Sequence, residues 1–212
     1  MWFGNESLKG AADVAKEAIR NSDNFHWTFI AILAFVVYVY TTELKNKNYK
    51  AVIAGLSLYM VHWFYEIANA VICTISGYAL WTVSPESTSI ILLIGVSWEL
   101  SMMFSVAGIV AYKLLPDDPK KKILGINNRW FFAIVNAAAF SAVEIYLAAT
   151  PAFNWVYPWW GAIPVFITTY IPFFLASNLI PDKKPKTQKI FICGLLTLNV
   201  ILLSVLIPLG II

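Results

Sequence analysis

Residues 51–76 read AVIAGLSLYMVHWFYEIANAVICTIS and contain no lysine, arginine or aspartate. The stretch is longer than the ~20 helical residues needed to cross a hydrocarbon core of ~30 Å. Three lysines precede it, at positions 45, 47 and 50. We therefore predict a transmembrane α-helix at residues 51–76, with two ionisable side chains, His62 and Glu66, in its interior.

Five further apolar blocks are separated by loops rich in proline or charge. The predicted spans are residues 25–42, 51–76, 88–115, 130–149, 159–180 and 190–212. The predicted fold class is an all-α integral membrane protein with a bundle of six transmembrane helices. Residues 25–212 form a single transmembrane domain in this prediction.

Residues 1–24 precede the first apolar block. They place apolar residues among charges and lack the basic start and apolar centre of a signal peptide. We predict an N-terminal amphipathic helix that lies in the membrane interface.

The composition excludes an ordinary soluble domain. Hydrophobic residues make up 59% of the chain and charged residues 13%, against about 25% charged in a typical globular protein. The net charge of +3 does not indicate a nucleic-acid partner, because the basic residues lie in short loops between apolar blocks. The expected environment is the membrane.

Lysine and arginine occupy alternate loops, which predicts the orientation. They cluster in the first, third and fifth loops, whereas the second and fourth loops contain none. By the positive-inside rule the odd loops are cytoplasmic, and both chain ends lie on the opposite side. The uncharged loops carry aromatic residues instead: Tyr78, Trp81, Trp155, Tyr157, Trp159 and Trp160. These form either an interfacial belt or a lid over a cavity.

Four ionisable side chains lie well inside the predicted spans: His62, Glu66, Glu99 and Glu144. Such groups are expensive in a membrane and mark functional sites. At ~1.5 Å per helical residue, the three carboxyl groups fall at similar depth. A neighbouring carboxylate and desolvation both oppose the ionisation of a carboxyl group. We therefore expect at least one of the three Glu side chains to be protonated, and a proton donor is what acid–base chemistry requires. The simpler alternative for each group is a structural interhelical hydrogen bond.

Further polar residues extend this candidate site. Tyr59, His62, Glu66, Asn69 and Cys73 follow a 3-4-3-4 spacing that places them on one helix face. Thr168, Thr169 and Tyr170 lie between Pro164 and Pro172, which can bend the helix and free its carbonyls; alternatively, these hydroxyls bond back to their own helix. Asn136 is interpreted as a polar contact between helices.

Other site chemistries find no support. The chain has no HExxH, GxSxG, glycine-rich phosphate loop or CxxC. His62 and the glutamates could bind a metal, but the paired Glu-x-x-His pattern of di-iron bundles is missing. We therefore expect neither a cofactor nor a metal.

The H-x-x-x-E pattern of His62 and Glu66, followed by Glu99, resembles the emopamil-binding sterol isomerase family and its lipid-binding EXPERA relatives. That resemblance implies a helical bundle in which His62 and Glu66 handle protons and Glu99 stabilises a carbocation. Glu144 is similar to an acidic residue on the family's fourth helix. The family's fifth-helix Asn and Trp have no clean match in this chain, where Thr168 and Tyr170 stand nearby, and the sixth span is additional. The pair Trp98-Glu99 also resembles small membrane-bound terpene cyclases.

The sequence therefore predicts a membrane-embedded isomerase or cyclase that acts by proton transfer on an apolar, isoprenoid or sterol-like lipid from the bilayer. Glu99 and Glu66 are the expected acid and base, tuned by His62, with Glu144 as a further catalytic candidate. The expected substrate-binding residues are Tyr59, Trp63, Tyr65, Asn69, Trp98, Thr168, Thr169 and Tyr170. The alternatives are a non-catalytic lipid-binding or trafficking protein and a proton-coupled transporter.

Overall fold

The apolar blocks form α-helices whose ends differ from the predicted ones by a few residues. The computed structural model describes residues 6–86 and 90–212. Its α-helices are α1 (Glu6–Glu17), α2 (Thr28–Lys45), α3 (Tyr49–Ser76), α4 (Trp98–Lys113), α5 (Asn128–Ala148), α6 (Ala162–Val165), α7 (Ile171–Leu179) and α8 (Pro185–Leu206). A π-helical turn, Phe166–Tyr170, joins α6 to α7.

Within the described ranges, five helical segments are long and apolar enough to cross a membrane. They are Thr28–Lys45, Tyr49–Ser76, Asn128–Ala148, Ala162–Asp182 and Pro185–Leu206. This confirms a multi-pass helical membrane protein. The predicted span 88–115 differs most: its helix, α4, has 16 residues, or ~24 Å, and residues 88 and 89 lie outside the described part.

Short β-strands occupy one end of the bundle and were not predicted. β1 (Trp81–Val83) pairs antiparallel with β6 (Phe153–Trp155), and β2 (Ile91–Leu93) forms a hairpin with β3 (Val96–Ser97). We call these four strands the β cap. A separate hairpin of β4 (Lys122–Ile123) and β5 (Ile126–Asn127) lies in the loop between α4 and α5. Strand pairing satisfies the backbone polar groups where the chain leaves helical geometry.

Helix α1 lies within the predicted segment 1–24, of which residues 1–5 fall outside the description. The side of α1 that packs against the bundle carries small side chains, since Ala12 and Ala15 are fully buried. The backbone N–H of Arg20 donates to the Ile91 carbonyl of the β cap, and its guanidinium donates to the Ile212 carbonyl. Both described ends of the chain therefore lie at the β-cap end of the bundle.

The opposite end carries the lysine-bearing loops and is held by ion pairs. Arg129 is buried and lies 2.8 Å from Asp182, which also pairs with Lys50 at 3.2 Å. The buried Glu43 pairs with Lys113 and accepts a hydrogen bond from Asn48. These contacts join the ends of α2 and α4 and the starts of α3 and α5 to one another and to Asp182, which follows α7. We call this end of the bundle the lysine-rich end.

Helix α3 is the centre of the bundle and packs against α4, α7 and α8. The α3–α4 contact is close because glycines face it. A Cβ placed on Gly108 would lie 2.6 Å from the Ala54 carbonyl oxygen, and one on Gly55 would lie 2.7 Å from Ile109. On the other side of α3, Asn199 of α8 donates to the Met60 carbonyl at 2.9 Å.

The segment Ala162–Asp182 is helical throughout, but its geometry becomes π-helical between Pro164 and Pro172. Pro172 has no N–H, so the Thr168 carbonyl lacks its usual helical donor. The Tyr65 hydroxyl of α3 donates to that carbonyl at 2.7 Å instead. The π-helical turn lies between Pro164 and Pro172 and faces α3 and α5; such turns occur often at functional sites.

The α3–α4 contact yields a test of the fold. We expect Gly108→Ala to lower the unfolding temperature in detergent, since the new methyl group meets rigid backbone and overpacking costs ~1–3 kcal/mol. Gly194 on α8 has open space around its Cα, so Gly194→Ala should be neutral or stabilising, as alanine is the better helix former. Equal effects of the two changes, measured by thermal circular dichroism, would contradict the close α3–α4 packing.

Candidate functional site

Polar side chains from three elements meet at one buried cavity of about 50 Å³ beneath the β cap. The predicted residues that line it are His62, Glu66, Glu144, Thr169 and Tyr170. They come from α3, α5 and the π-helical turn. Trp81 of the β cap and apolar side chains, Phe104 and Phe173 among them, complete the wall. The predicted convergence of intramembrane ionisable groups therefore holds for three of the four.

His62 and Glu66 form a pair on the α3 side. The His62 Nε2 lies 3.3 Å from the Glu66 Oε1, and both side chains are almost completely buried. The imidazole stacks on Phe104, with ring centroids 4.2 Å apart, and meets the edge of Phe173. Neither imidazole nitrogen has an aligned hydrogen bond to a described residue. The imidazole is thus held by aromatic packing, and both residues of the pair line the cavity.

Glu144 faces the cavity from α5 and has a different environment. Trp155 Nε1 donates a hydrogen bond to Glu144 Oε1 at 2.7 Å, and the Tyr170 hydroxyl interacts with the same carboxyl group. An indole N–H can only donate, so this oxygen of Glu144 is an acceptor. Trp155 itself is held in register opposite Trp81 by the β1–β6 pairing.

The β cap is anchored directly beside Glu66. Asn69 donates to the Trp81 carbonyl at 3.0 Å and accepts from the Leu80 N–H at 2.8 Å. The turn between β2 and β3 places Gly95 so close that a Cβ there would lie 2.7 Å from Glu66 Oε2. A glycine is therefore required at this position, and Asn69 acts as a clamp for the cap rather than as part of the cavity wall.

The π-helical turn directs two consecutive residues at the cavity. Tyr170 and Thr169 are both buried, and the Thr169 Oγ1 has no hydrogen-bond partner among the described residues. Thr168 behaves differently, because its hydroxyl donates to the Pro164 carbonyl at 2.7 Å. For Thr168 the prediction that these hydroxyls bond back to their own helix is confirmed.

Three other predicted residues on α3 lie around the site without lining the cavity. The Tyr59 hydroxyl is hydrogen-bonded to Ser101 of α4 at 2.9 Å. Trp63 packs edge-on against Tyr59 and His62. Tyr65 packs against Phe173, and its hydroxyl donates to the Thr168 carbonyl of the π-helical turn. These side chains position the site.

Glu99 and Trp98 start α4, next to the β2–β3 hairpin. Glu99 is half-buried in the first turn of that helix and is not among the cavity-lining residues, whereas its neighbour Leu100 is. Trp98 is partly exposed and packs against Phe29 of α2, with ring centroids 5.1 Å apart. The structure therefore places Glu144, rather than Glu99, across the cavity from the His62–Glu66 pair.

The aromatic residues of the uncharged loops divide between the two interpretations. Trp81 lines the cavity, Trp155 bonds Glu144, and Trp160 is buried and stacked on Trp81 at 5.9 Å. These three act as the lid. Trp159 is half-exposed, as an interfacial belt residue would be. The sequence analysis offered Trp81 and Trp155 only as belt or lid residues and did not predict the contact with Glu144; their location in the loops that follow the Glu66 and Glu144 helices was the available signal.

The arrangement is suited to moving protons. The cavity has room for a few water molecules, each needing ~10–15 Å³ on this measure, or for a small part of a larger apolar molecule. Across residues 6–86 and 90–212, no group of three or more His, Cys, Asp or Glu side chains is placed to hold a metal ion. The chemical groups that the cavity does offer are carboxyl, imidazole, phenol and hydroxyl.

Comparison with known proteins gives a family but no described activity. An uncharacterized protein of Archaeoglobus fulgidus is 41% identical over 199 residues, which cover 92% of this chain and 94% of that relative. No solved structure matches the chain. A family model matches residues 9–208, and the chain therefore belongs to that uncharacterized membrane protein family.

Proposed function

We propose that the protein is an intramembrane acid–base enzyme that isomerises or cyclises an unsaturated apolar lipid of the isoprenoid or sterol-like class. One observation carries the proposal: the His62–Glu66 pair and Glu144 face the same buried aromatic cavity from different helices. Two proton-handling groups in unlike environments are what a proton shift along a hydrocarbon needs. The resemblance of the His62-x-x-x-Glu66 pattern to the EXPERA isomerases supports the same chemistry.

The proposed reaction begins with the His62–Glu66 pair. The protonated pair gives one proton to one carbon of a substrate double bond, the π electrons form the new C–H bond, and the neighbouring carbon becomes cationic. Glu144, as the carboxylate, then removes a proton from the next carbon, and those C–H electrons form the shifted double bond. The proton returns from Glu144 to the pair across the cavity, so no further reagent is consumed.

The aromatic wall favours the cationic intermediate. Phe104, Phe173 and Trp81 surround the space between the two proton-handling groups. A desolvated cation against an aromatic face gains ~2 kcal/mol. In a cyclisation, a second double bond of the same substrate attacks the cation before the proton is lost. We assign the role of the base that removes the proton from the cation to Glu144 rather than to Glu99, since Glu144 lines the cavity.

We also propose a membrane arrangement. Both described chain ends lie at the β-cap end, so the number of crossings is even; α4, together with its preceding hairpin, supplies the sixth in addition to the five long segments. The positive-inside rule puts the lysine-rich end in the cytoplasm and the β cap on the other side. Helix α1 then lies along the non-cytoplasmic interface.

Proton exchange into the substrate tests the proposal without knowledge of the product. We expect the protein in nanodiscs, incubated in deuterated water with squalene, geranylgeraniol or lanosterol, to introduce carbon-bound deuterium into one of them, detected by mass spectrometry. Glu66→Gln and Glu144→Gln should each reduce the rate by ~10²-fold or more, as expected for loss of a general acid or base.

The matched control is Glu86→Gln, which changes an exposed glutamate in the loop after β1. It should leave the exchange rate unchanged. Equal exchange in the wild type, Glu66→Gln and Glu144→Gln would refute the enzyme assignment, and so would exchange that depends on Glu86.

A proton-coupled transporter is the second candidate, and the π-helical turn within the segment Ala162–Asp182 is the observation that favours it. Transporters place discontinuous helices beside their ion sites, and here the π-helical turn brings Thr169 and Tyr170 to the carboxyl groups.

Proteoliposomes distinguish the two candidates. With a pH-sensitive dye inside the vesicles and an imposed pH gradient, we expect no proton flux above that of protein-free vesicles, because an enzyme cycles its proton within one cavity. A flux that Glu66→Gln abolishes and Glu86→Gln leaves intact would favour the transporter and contradict our assignment.

A further inference from the structure

A second cavity opens on the side of the bundle, between α2, α4 and α5. Its volume is about 280 Å³, close to the ~300 Å³ at which ligand pockets begin. Its lining is apolar, with Phe35 of α2, Ala107 and Val110 of α4 and Phe140 of α5 among its residues. We call it the lateral groove. Phe35 and Val110 are each more than half exposed, so the groove faces the surroundings of the bundle.

Packed aromatic rings separate the lateral groove from the buried cavity. Phe140 lines the groove, and its ring centroid lies 6.0 Å from that of Phe104 and 5.6 Å from that of Tyr170, both of which line the cavity. Phe174 lines the groove beside Phe140, with ring centroids 4.9 Å apart. Displacement of the Phe140 ring, together with a rotation of Phe104 or Tyr170 behind it, would therefore join the two spaces.

Helices α4, α5 and α7 contribute to both spaces. On α5, Asn136, Phe140 and Glu144 are spaced by four residues, which aligns them along one helix face. The first two line the groove and the third lines the cavity. A movement of one helical turn, ~5.4 Å, along this face leads from the groove past Phe140 to the proton-handling carboxyl.

The groove also holds one unsatisfied polar atom. The Asn136 Nδ2 is buried and has no hydrogen-bond partner among the described residues, although the sequence predicted a contact between helices. An amide N–H₂ donates to oxygen, and an unsatisfied buried donor is costly. A ligand oxygen near the lysine-rich half of the groove would satisfy it.

We propose that the lateral groove binds the chain of an oxygen-bearing unsaturated isoprenoid alcohol, and that Phe140 is the gate through which its reacting double bond enters the cavity. This inference rests on the proposed function and names the substrate class and its route. The alcohol oxygen accepts a hydrogen bond from Asn136. The size of the two spaces fits this division, because the cavity admits a few carbon atoms and the groove a longer chain.

Photolabelling tests the proposal. A diazirine analogue of geranylgeraniol, irradiated with the protein in nanodiscs, should label peptides of α2, α4 and α5 around the groove. Excess geranylgeraniol should compete, whereas excess dioleoylphosphatidylcholine should not. Ala107→Phe and Val110→Phe fill the groove from α4 and should each reduce labelling by about tenfold, equivalent to ~1.4 kcal/mol of binding. Two variants guard against misfolding of one of them.

The matched control is Ala139→Phe, which adds the same bulk on an exposed part of α5 and should leave labelling unchanged. Asn136→Leu should weaken labelling by the alcohol but not by a hydrocarbon analogue that lacks the oxygen. Unchanged labelling in both groove-filling variants, or equal competition by the phospholipid, would overturn the proposal, the latter by identifying an ordinary acyl chain as the occupant.

The gate has its own readout. Phe140→Ala should extend the labelling to the α3 peptide that carries His62, and a pattern identical to the wild type would refute the gate. Failure of the enzyme assignment remains distinguishable, because Glu144→Gln should abolish deuterium exchange and leave groove labelling intact. Labelling without exchange in the wild type would retain the groove and indicate a non-catalytic lipid-binding protein.

Discussion

A backbone polar group without a partner costs several kcal/mol in the interior of a membrane protein, and this requirement is met here mainly from α3. The chain leaves helical geometry at the β cap, directly beside Glu66. Asn69 supplies both a donor to the Trp81 carbonyl and an acceptor for the Leu80 N–H. Strand pairing between β1 and β6 satisfies the next groups along. The non-helical backbone can therefore close the bundle because one α3 amide holds it.

The same requirement shapes the opposite wall of the cavity. Pro172 removes a donor from its own helix, and Tyr65 provides the replacement for the Thr168 carbonyl. Tyr65 and Asn69 both lie within one turn of Glu66. The β cap and the π-helical turn are therefore both fixed to the stretch of α3 that carries His62 and Glu66. A loss of either clamp would displace the groups facing Glu66 and leave Glu66 itself in place.

Hydrophobic length and intramembrane ionisable residues are local signals, which is why the sequence predicted the long helices and placed His62, Glu66 and Glu144 together. The β cap gave no such signal, because strands of two or three residues are too short to show a period. The rise per residue also predicts how far along its helix a residue lies, but it does not predict which side of the helix faces the centre of the bundle. Glu99 lies in the first turn of α4, and the packing of that helix leaves it outside the set of cavity-lining residues, which only coordinates reveal.

Under the proposed function, selectivity for a lipid follows from the relative size and polarity of the two spaces. A hydrocarbon chain that leaves the bilayer for the lateral groove gains little hydrophobic free energy, since lipid tails are as apolar as the side chains that replace them. The groove therefore selects by shape and by the single donor of Asn136. Discrimination among unsaturated chains falls to the cavity of about 50 Å³, where only a double bond that reaches past Phe140 meets both His62–Glu66 and Glu144. Under the proposed mechanism, the distance from the oxygen to the reacting bond is thus set by the separation of Asn136 and Glu144 on α5, which is eight residues or ~12 Å, with Phe140 midway between them.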